Sequence, residues 1–112
     1  MHRRDIWLIN LEPAIGAEIK KTRPAVIVND DAIGILPLRV ILPITEWKDK
    51  FQIAPWMVKL EANRENGLNK NSAIDAFQIR SVSVSRFVQK IGFVSEETMQ
   101  QLSQAVKLVL AM

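Results

Sequence analysis

"KKTRPAVIV", residues 20–28, sets three cations, a hydroxyl and a proline directly before an unbroken apolar run. Residues 25–28 are short, mostly β-branched and free of polar interruption, which is the pattern of a strand buried in a core. A cation at the mouth of such a strand is paired, solvated or used. Lys20, Lys21 and Arg23 pose that choice, and the rest of the chain bears on it.

Upstream, "DIWLINL" (5–11) reads as a first strand, and 12–23, broken by Pro13 and Gly16, as a loop. The second strand covers 24–29, and the Asn, Asp and Gly cluster at 29–34 is a turn. Downstream, "PLRVILPI" (37–44) is a third strand with prolines at positions a strand tolerates. Residues 45–54 are polar, and "PWMVKLE" (55–61) is a fourth strand. The Asn-Gly pair marks a turn or longer loop in 62–71. Strict alternation over 72–83 predicts one strand, with Ala73, Asp75, Phe77 and Ile79 on one face. Residues 84–94 are ambiguous in type, read as a helical turn and then a strand. Over 96–110, Met99, Leu102, Val106, Val109 and Leu110 follow helical spacing. Ser95 is a suitable N-cap, and Glu96 and Glu97 sit where carboxylates favour the helix dipole. Several short strands and one terminal helix predict a mainly β domain: a small, strongly bent antiparallel barrel carrying the helix.

At 112 residues the chain is long enough for one domain with a single core. Its 48% hydrophobic and 24% charged residues are ordinary for a globular protein. No apolar stretch approaches the roughly 18 residues of a membrane span. Glu12 and Pro13 end the first apolar run too early for a signal peptide, so the expected location is the cytoplasm. The absence of cysteine excludes disulfides, thiolate zinc sites and cysteine nucleophiles. The single histidine, His2, lies by the terminus and is expected in solvent. A two-histidine acid–base pair therefore cannot form within one chain, and no spacing suggests a metal site. A net charge of +3 mildly favours an anionic partner.

In this layout "RRDIWLINLEPAIGAEIKKTRPAVIVND" (3–30), "VILPIT" (40–45) and "AFQIRSVS" (76–83) carry a family pattern. A basic residue and an acid precede an apolar strand; then come Glu-Pro, Gly-x-Glu, Arg-Pro before a buried strand, Pro-x-Thr, and Gln-x-Arg-Ser. The chain resembles the MazF/PemK family of toxin endoribonucleases over essentially its whole length. The resemblance implies an SH3-like barrel of the toxin type, a homodimer, and metal-independent cleavage of single-stranded RNA without a cofactor. It also implies a cognate antitoxin, expected to be acidic and partly disordered when alone.

Three residues take catalytic positions by that resemblance. Arg23 matches the catalytic arginine; its guanidinium holds its charge and offers a planar fork of donors to phosphoryl oxygens. The competing reading is a structural arginine paired with Glu18. Thr45 matches the catalytic threonine, with a hydroxyl for a phosphate oxygen; the alternative is a strand-end turn cap. Glu18 either orients Arg23 or accepts the 2′-OH proton; a glutamate carboxylate is a weak base for a hydroxyl, which favours the orienting role. Gln78 and Arg80 match the Gln-x-Arg stretch, as supports of the site or of the dimer. Where many relatives carry an acid before that glutamine, this chain has Phe77. Asp75 substitutes for it or is simply solvated or paired.

Lys20, Lys21, Lys48 and Lys50 lie in the loops flanking Arg23 and Thr45, either as solvated surface or as a rim that tracks phosphates. Trp47 among them is a candidate for stacking on a base, whereas Trp7 and Trp56 read as core or dimer contacts. Two other functions fit a barrel of this kind: a toxin that acts by protein binding, as gyrase inhibitors do, and a catalytically degenerate interaction module. Retention of Glu18, Arg23 and Thr45 speaks against the first of these, and Phe77 speaks for the second.

Overall fold

A computed structural model describes all 112 residues. Seven strands precede one helix: β1 (Asp5–Asn10), β2 (Thr22–Ile27), β3 (Leu38–Glu46), β4 (Met57–Leu60), β5 (Ser72–Asp75), β6 (Arg80–Ser83), β7 (Phe87–Phe93) and α1 (Glu96–Val109). All pairings are antiparallel, in the order β4-β5-β3-β2-β1-β7, with β6 also on β3. The nine-residue β3 is the spine. It pairs with β6 over Leu38–Ile41, with β5 over Ile44–Glu46, and on its other edge with β2 over Ile41–Pro43.

The apolar run of β2 has a physical reason. Val26 faces a core shared with Ile6, Leu42, Ile44, Ile74 and, from α1, Met99 and Leu102. Its neighbours Ala25 and Ile27 face a second core with Ile9, Leu11, Ile41 and Val82. A strand covered on both faces loses the apolar–polar alternation of a half-exposed one. Trp7 and Trp56 pack against the second and first cores respectively. The helix begins as its sequence predicts, with the Ser95 hydroxyl accepting from Thr98 N–H at 3.1 Å.

Two expectations change. The strand expected over 72–83 is interrupted: Asp75 Oδ1 accepts from Phe77 N–H at 3.0 Å and caps a 3₁₀ turn at 76–78. An aspartate bonding two residues ahead competes with the ladder, so Asp75 turns inward and Phe77 outward rather than sharing a face. The expected barrel is a strongly curled sheet whose ends, β7 and β4, do not pair. The 61–71 connection bridges that gap by backbone contact, Phe93 N–H donating to Glu65 C=O at 3.0 Å.

That connection is built on Asn66, which is buried. Its Oδ1 accepts from the N–H groups of Asn63 and Leu68 at 3.0 Å each, and its Nδ2 donates to Glu61 C=O at 2.8 Å. Gly92 lets the connection lie directly on β7, because a Cβ there would stand 2.3 Å from the carbonyl oxygen of Glu65. Gly92→Ala is therefore expected to destabilise the protein by about 1–3 kcal/mol, the usual cost of forced overpacking. Urea unfolding measures this, and an unchanged midpoint contradicts the bridge.

Candidate active site

The β2–β3 ladder pairs Ala25 with Pro43, Val26 with Leu42 and Ile27 with Ile41. Continued by two places, this register sets Arg23 opposite Thr45. β2 begins at Thr22, earlier than its apolar run suggests, so Arg23 belongs to the strand and pairs with Ile9 of β1. Thr45 is held from its other side by Ala73 of β5. Arg23 and Thr45, both half-buried, line one cleft of about 230 Å³ with Glu46, Asn69, Lys70 and Ser72.

The Arg23 guanidinium is oriented by main chain. Its Nε–H donates to the carbonyl of Lys20 at 3.0 Å, and no carboxylate pairs with it. Its terminal nitrogens are left for an external acceptor. The expected Glu18–Arg23 pair is absent: Glu18 Oε1 accepts from Ile15 N–H at 2.7 Å and folds the loop on itself. Lys20 C=O takes the orienting role assigned to Glu18, because the chain reverses at Lys21, where φ is +71°. That reversal is pinned by Leu11 N–H donating to Lys21 C=O at 3.0 Å and Lys21 N–H donating to Glu12 Oε1 at 2.8 Å.

Gln78 holds the same loop from the opposite side. Its Oε1 accepts from Ile19 N–H at 2.6 Å, and its Nε2 donates to Ala17 C=O at 3.3 Å. Its amide is thus engaged with the loop that carries Lys20, rather than turned to the cleft. Arg80, half-buried on β6, lines a separate and larger cleft with Glu18, Phe77 and Gln78. Asp75 lies outside the Arg23–Thr45 cleft, 4% exposed, its carboxylate spent on the 76–78 turn.

Trp47 N–H donates to Asn71 C=O at 3.0 Å, which ties it to the segment carrying Asn69 and Lys70. Lys59 Nζ stands 5.0 Å from the centre of its ring, and Phe51 meets it edge-on at 5.9 Å. Lys20, Lys21, Lys48 and Lys50 are exposed. Asn69, Lys70 and Ser72 were not singled out from sequence. They follow the Asn-Gly turn signal, and only the fold of the connection around Asn66 carries them to Arg23. Lys70 Nζ lies 3.8 Å from Glu46 Oε2, a loose surface pair. His2 is exposed, 3.8 Å from Asp31. No three His, Cys, Asp or Glu side chains gather as a metal site would require. A fixed guanidinium, a hydroxyl and a lysine in one open cleft can bind a phosphodiester and stabilise added negative charge on it.

The sequence model of the family described as the PemK-like, MazF-like toxin of type II toxin–antitoxin systems matches residues 2–110. The endoribonuclease MazF9 of Mycobacterium tuberculosis is 34% identical over 114 residues, covering 96% of this chain and 94% of that protein. The crystal structure of MazF from Deinococcus radiodurans superposes with a TM-score of 0.83 at 20% identity, covering 100% of this chain and 97% of that one. An endoribonuclease from a mycobacterial species, solved in complex with its cognate antitoxin, superposes with a TM-score of 0.79 at 17% identity, covering 100% and 96%.

Burial pushes the Asp75 carboxyl above its ordinary value of 3.8, against hydrogen bonds from Phe77 N–H and from the backbone and side chain of Gln78. The folded protein therefore holds this proton more tightly than the unfolded chain. The stability contributed by the group is complete below the unfolded value and is lost as pH rises through the raised one. Asp75→Asn keeps the Oδ1 acceptor and cannot ionise. It is expected to raise Tm by a few degrees near pH 7 and to match the wild type near pH 3. Melting at both pH values checks this; a lower Tm for the variant near pH 7 contradicts it.

Proposed function

The chain belongs to the PemK-like, MazF-like toxins of type II toxin–antitoxin systems, and from that membership we infer that it is an endoribonuclease toxin whose cutting site is the Arg23–Thr45 cleft. The observation that carries the assignment of residues is the shared cleft itself: two side chains from 22 residues apart in sequence, on neighbouring strands, line it together with Lys70. A toxin that acts by binding alone has no use for a guanidinium, unpaired with any carboxylate, that shares an open cleft with a hydroxyl.

The substrate is single-stranded RNA, whose flexible backbone lets a 2′-OH line up with its own 3′-phosphate. The 2′-OH gives its proton to water as its oxygen bonds to phosphorus; the bond from phosphorus to the 5′ oxygen breaks, and that oxygen takes a proton from water and leaves as a hydroxyl, with a 2′,3′-cyclic phosphate on the other fragment. Negative charge grows on the non-bridging oxygens in between. Arg23, already oriented by Lys20 C=O, meets that charge with its terminal N–H groups, and the Thr45 hydroxyl donates to a neighbouring oxygen. Because the Arg23 guanidinium is already oriented when charge develops, its donors are worth more in the transition state than in the ground state. This chemistry uses side chains and water alone. Glu18, Gln78 and Asp75 act through the loop and the turn, and Lys20, Lys21, Lys48 and Lys70 form the rim that tracks phosphates. The same rim suits an acidic antitoxin.

The toxin acts as a single-domain protomer in a homodimer. Ile33, Ile35, Leu36 and Leu38 stand exposed. Ile33, Leu36 and Leu38 border a groove that continues through Asn29 and Val40 to Val106 and Met112 near the end of α1. A second copy covers this apolar face. No helix is long and apolar enough to cross a membrane, and the proposed location is the cytoplasm, where the RNA is.

Arg23→Ala is expected to lower the cleavage rate by about 10²–10³, as loss of one charge-stabilising donor does, with Tm nearly unchanged. Cleavage of a long single-stranded RNA and thermal melting, run side by side, test this; full activity in the variant ends the assignment. Sedimentation at micromolar concentration is expected to show a dimer, and Leu36→Asp a shift toward monomer. A monomeric wild type contradicts the proposed face.

A further inference from the structure

The connection that bridges the two ends of the sheet turns at an Asn-Gly pair, Asn66–Gly67, and this dipeptide has a chemistry of its own. The backbone nitrogen that follows an asparagine can attack its side-chain amide, and glycine hinders that attack least because it has no side chain. The Gly67 nitrogen bonds to Cγ of Asn66 and gives its proton to water. The bond from Cγ to Nδ2 breaks, and Nδ2 takes a proton from water and leaves as ammonia. Water then opens the cyclic imide at either carbonyl, giving an aspartate or, with one more carbon in the main chain, an isoaspartate. We propose that Asn66–Gly67 is a deamidation site that the folded connection keeps closed and unfolding opens, and that its products cannot rebuild the connection.

Three observations carry it. Both reacting groups are tied down in the fold. Asn66 is 1% exposed; its Oδ1 accepts from Asn63 and Leu68 N–H, and its Nδ2 donates to Glu61 C=O. The Gly67 N–H, which must give up its proton, donates to Asn63 C=O at 3.2 Å. Ring closure has to break these bonds inside the protein, where an unpaired polar group is costly. The packing also rejects both products. A Cβ at Gly67 would collide with the carbonyl oxygen of Ile91, and one at Gly92 would stand 2.5 Å from the carbonyl carbon of Asn66. An isoaspartate adds a carbon to the main chain at this contact. An aspartate keeps the length but replaces the donor to Glu61 C=O with a buried, charged acceptor. Finally, the fold itself selects the reactive pair. Gly67 sits at φ +67°, where glycine is favoured, and Asn66 supplies the bonds that shape the connection. Asn69, Lys70 and Ser72 line the Arg23–Thr45 cleft from this connection and the start of β5. A chain that deamidates while unfolded therefore returns without that wall, and its unfolding is recorded in a covalent change. The resulting loss of cutting rests on the ribonuclease reading; the shielding and the failure to refold do not.

The test holds the protein in one mildly alkaline buffer, native in one sample and unfolded in guanidinium chloride in the other. Trypsin, cutting after Arg64 and Lys70, releases residues 65–70, and mass spectrometry reads amide-to-acid conversion at Asn66, with Asn69 of the same peptide as reference. In denaturant Asn66 is expected to convert well ahead of Asn69, which precedes a lysine. In the native sample its conversion is expected to be at least about tenfold slower, the factor that about 1.4 kcal/mol of opening free energy supplies. Equal rates in the two samples, or no preference for Asn66 in denaturant, overturn the site. Ion exchange then separates the deamidated chains by their added negative charge. After removal of denaturant, unmodified chains are expected to regain the native Tm, and deamidated chains and Asn66→Asp to melt lower or stay unfolded. A wild-type Tm in either overturns the proposal. Cleavage of single-stranded RNA is expected from the unmodified chains and reduced in the deamidated ones. Unmodified chains that melt normally and cut no RNA overturn the ribonuclease reading instead, and the site is still decided by mass and melting.

Discussion

The register between β2 and β3 is the constraint on which the rest depends. Ala25, Val26 and Ile27 are fully buried, as are Ile41 and Leu42 opposite them. Burying a side chain such as valine or isoleucine contributes about 1.5–3 kcal/mol. A slip by one residue would exchange the two cores' side chains across the sheet. Because that slip is so costly, the positions just beyond the buried stretch are fixed as well. Arg23 and Thr45 inherit their juxtaposition from apolar residues that touch no substrate. The half-buried guanidinium, unpaired with any carboxylate, costs stability; the buried ladder beneath it offsets that cost.

A second level of order comes from main-chain groups. The Arg23 side chain is aimed by a carbonyl, that carbonyl is placed by a loop reversal at Lys21, and the loop is held by the Gln78 amide. Gln78 follows the turn that Asp75 caps. The path from a buried acid to a surface guanidinium is therefore continuous in hydrogen bonds and backbone. The turn that Asp75 caps breaks the strand and turns Phe77 outward, at the cost of burying a carboxylate. The opposite wall is organised in the same way by Asn66, which forms the connection that brings Lys70 to the cleft. Several buried or loop polar side chains in this protein shape backbone rather than face a cleft. Arg23 and Arg80 are half-buried without a carboxylate partner, and each lines a cleft.

Much of this was legible in the sequence. The two-faced burial of 25–28, the amphipathic spacing of 96–110 with Ser95 as its cap, and the resemblance carried by Gly-x-Glu, Arg-Pro and Pro-x-Thr were enough for the fold type and the family, and the same motifs single out Arg23 and Thr45, which line one cleft. These features are local, or depend on periodicity, and a linear chain displays them directly. The strand drawn through 72–83 failed because alternation counts apolar positions and cannot see that an aspartate will cap its own turn.

What only the tertiary structure decided is who touches whom. Glu18 stands five residues from Arg23 and seemed made for it, yet a reversal at Lys21 sends its carboxylate to Ile15 and leaves a carbonyl in its place. Lys70 is 47 residues from Arg23 and reaches its cleft because the 61–71 connection folds around one buried asparagine. Sequence determines which residues are buried and which elements they form, since burial and propensity are properties of short stretches. The partners of polar side chains are set by loop geometry and long-range register, and these exist only once the whole sheet has curled.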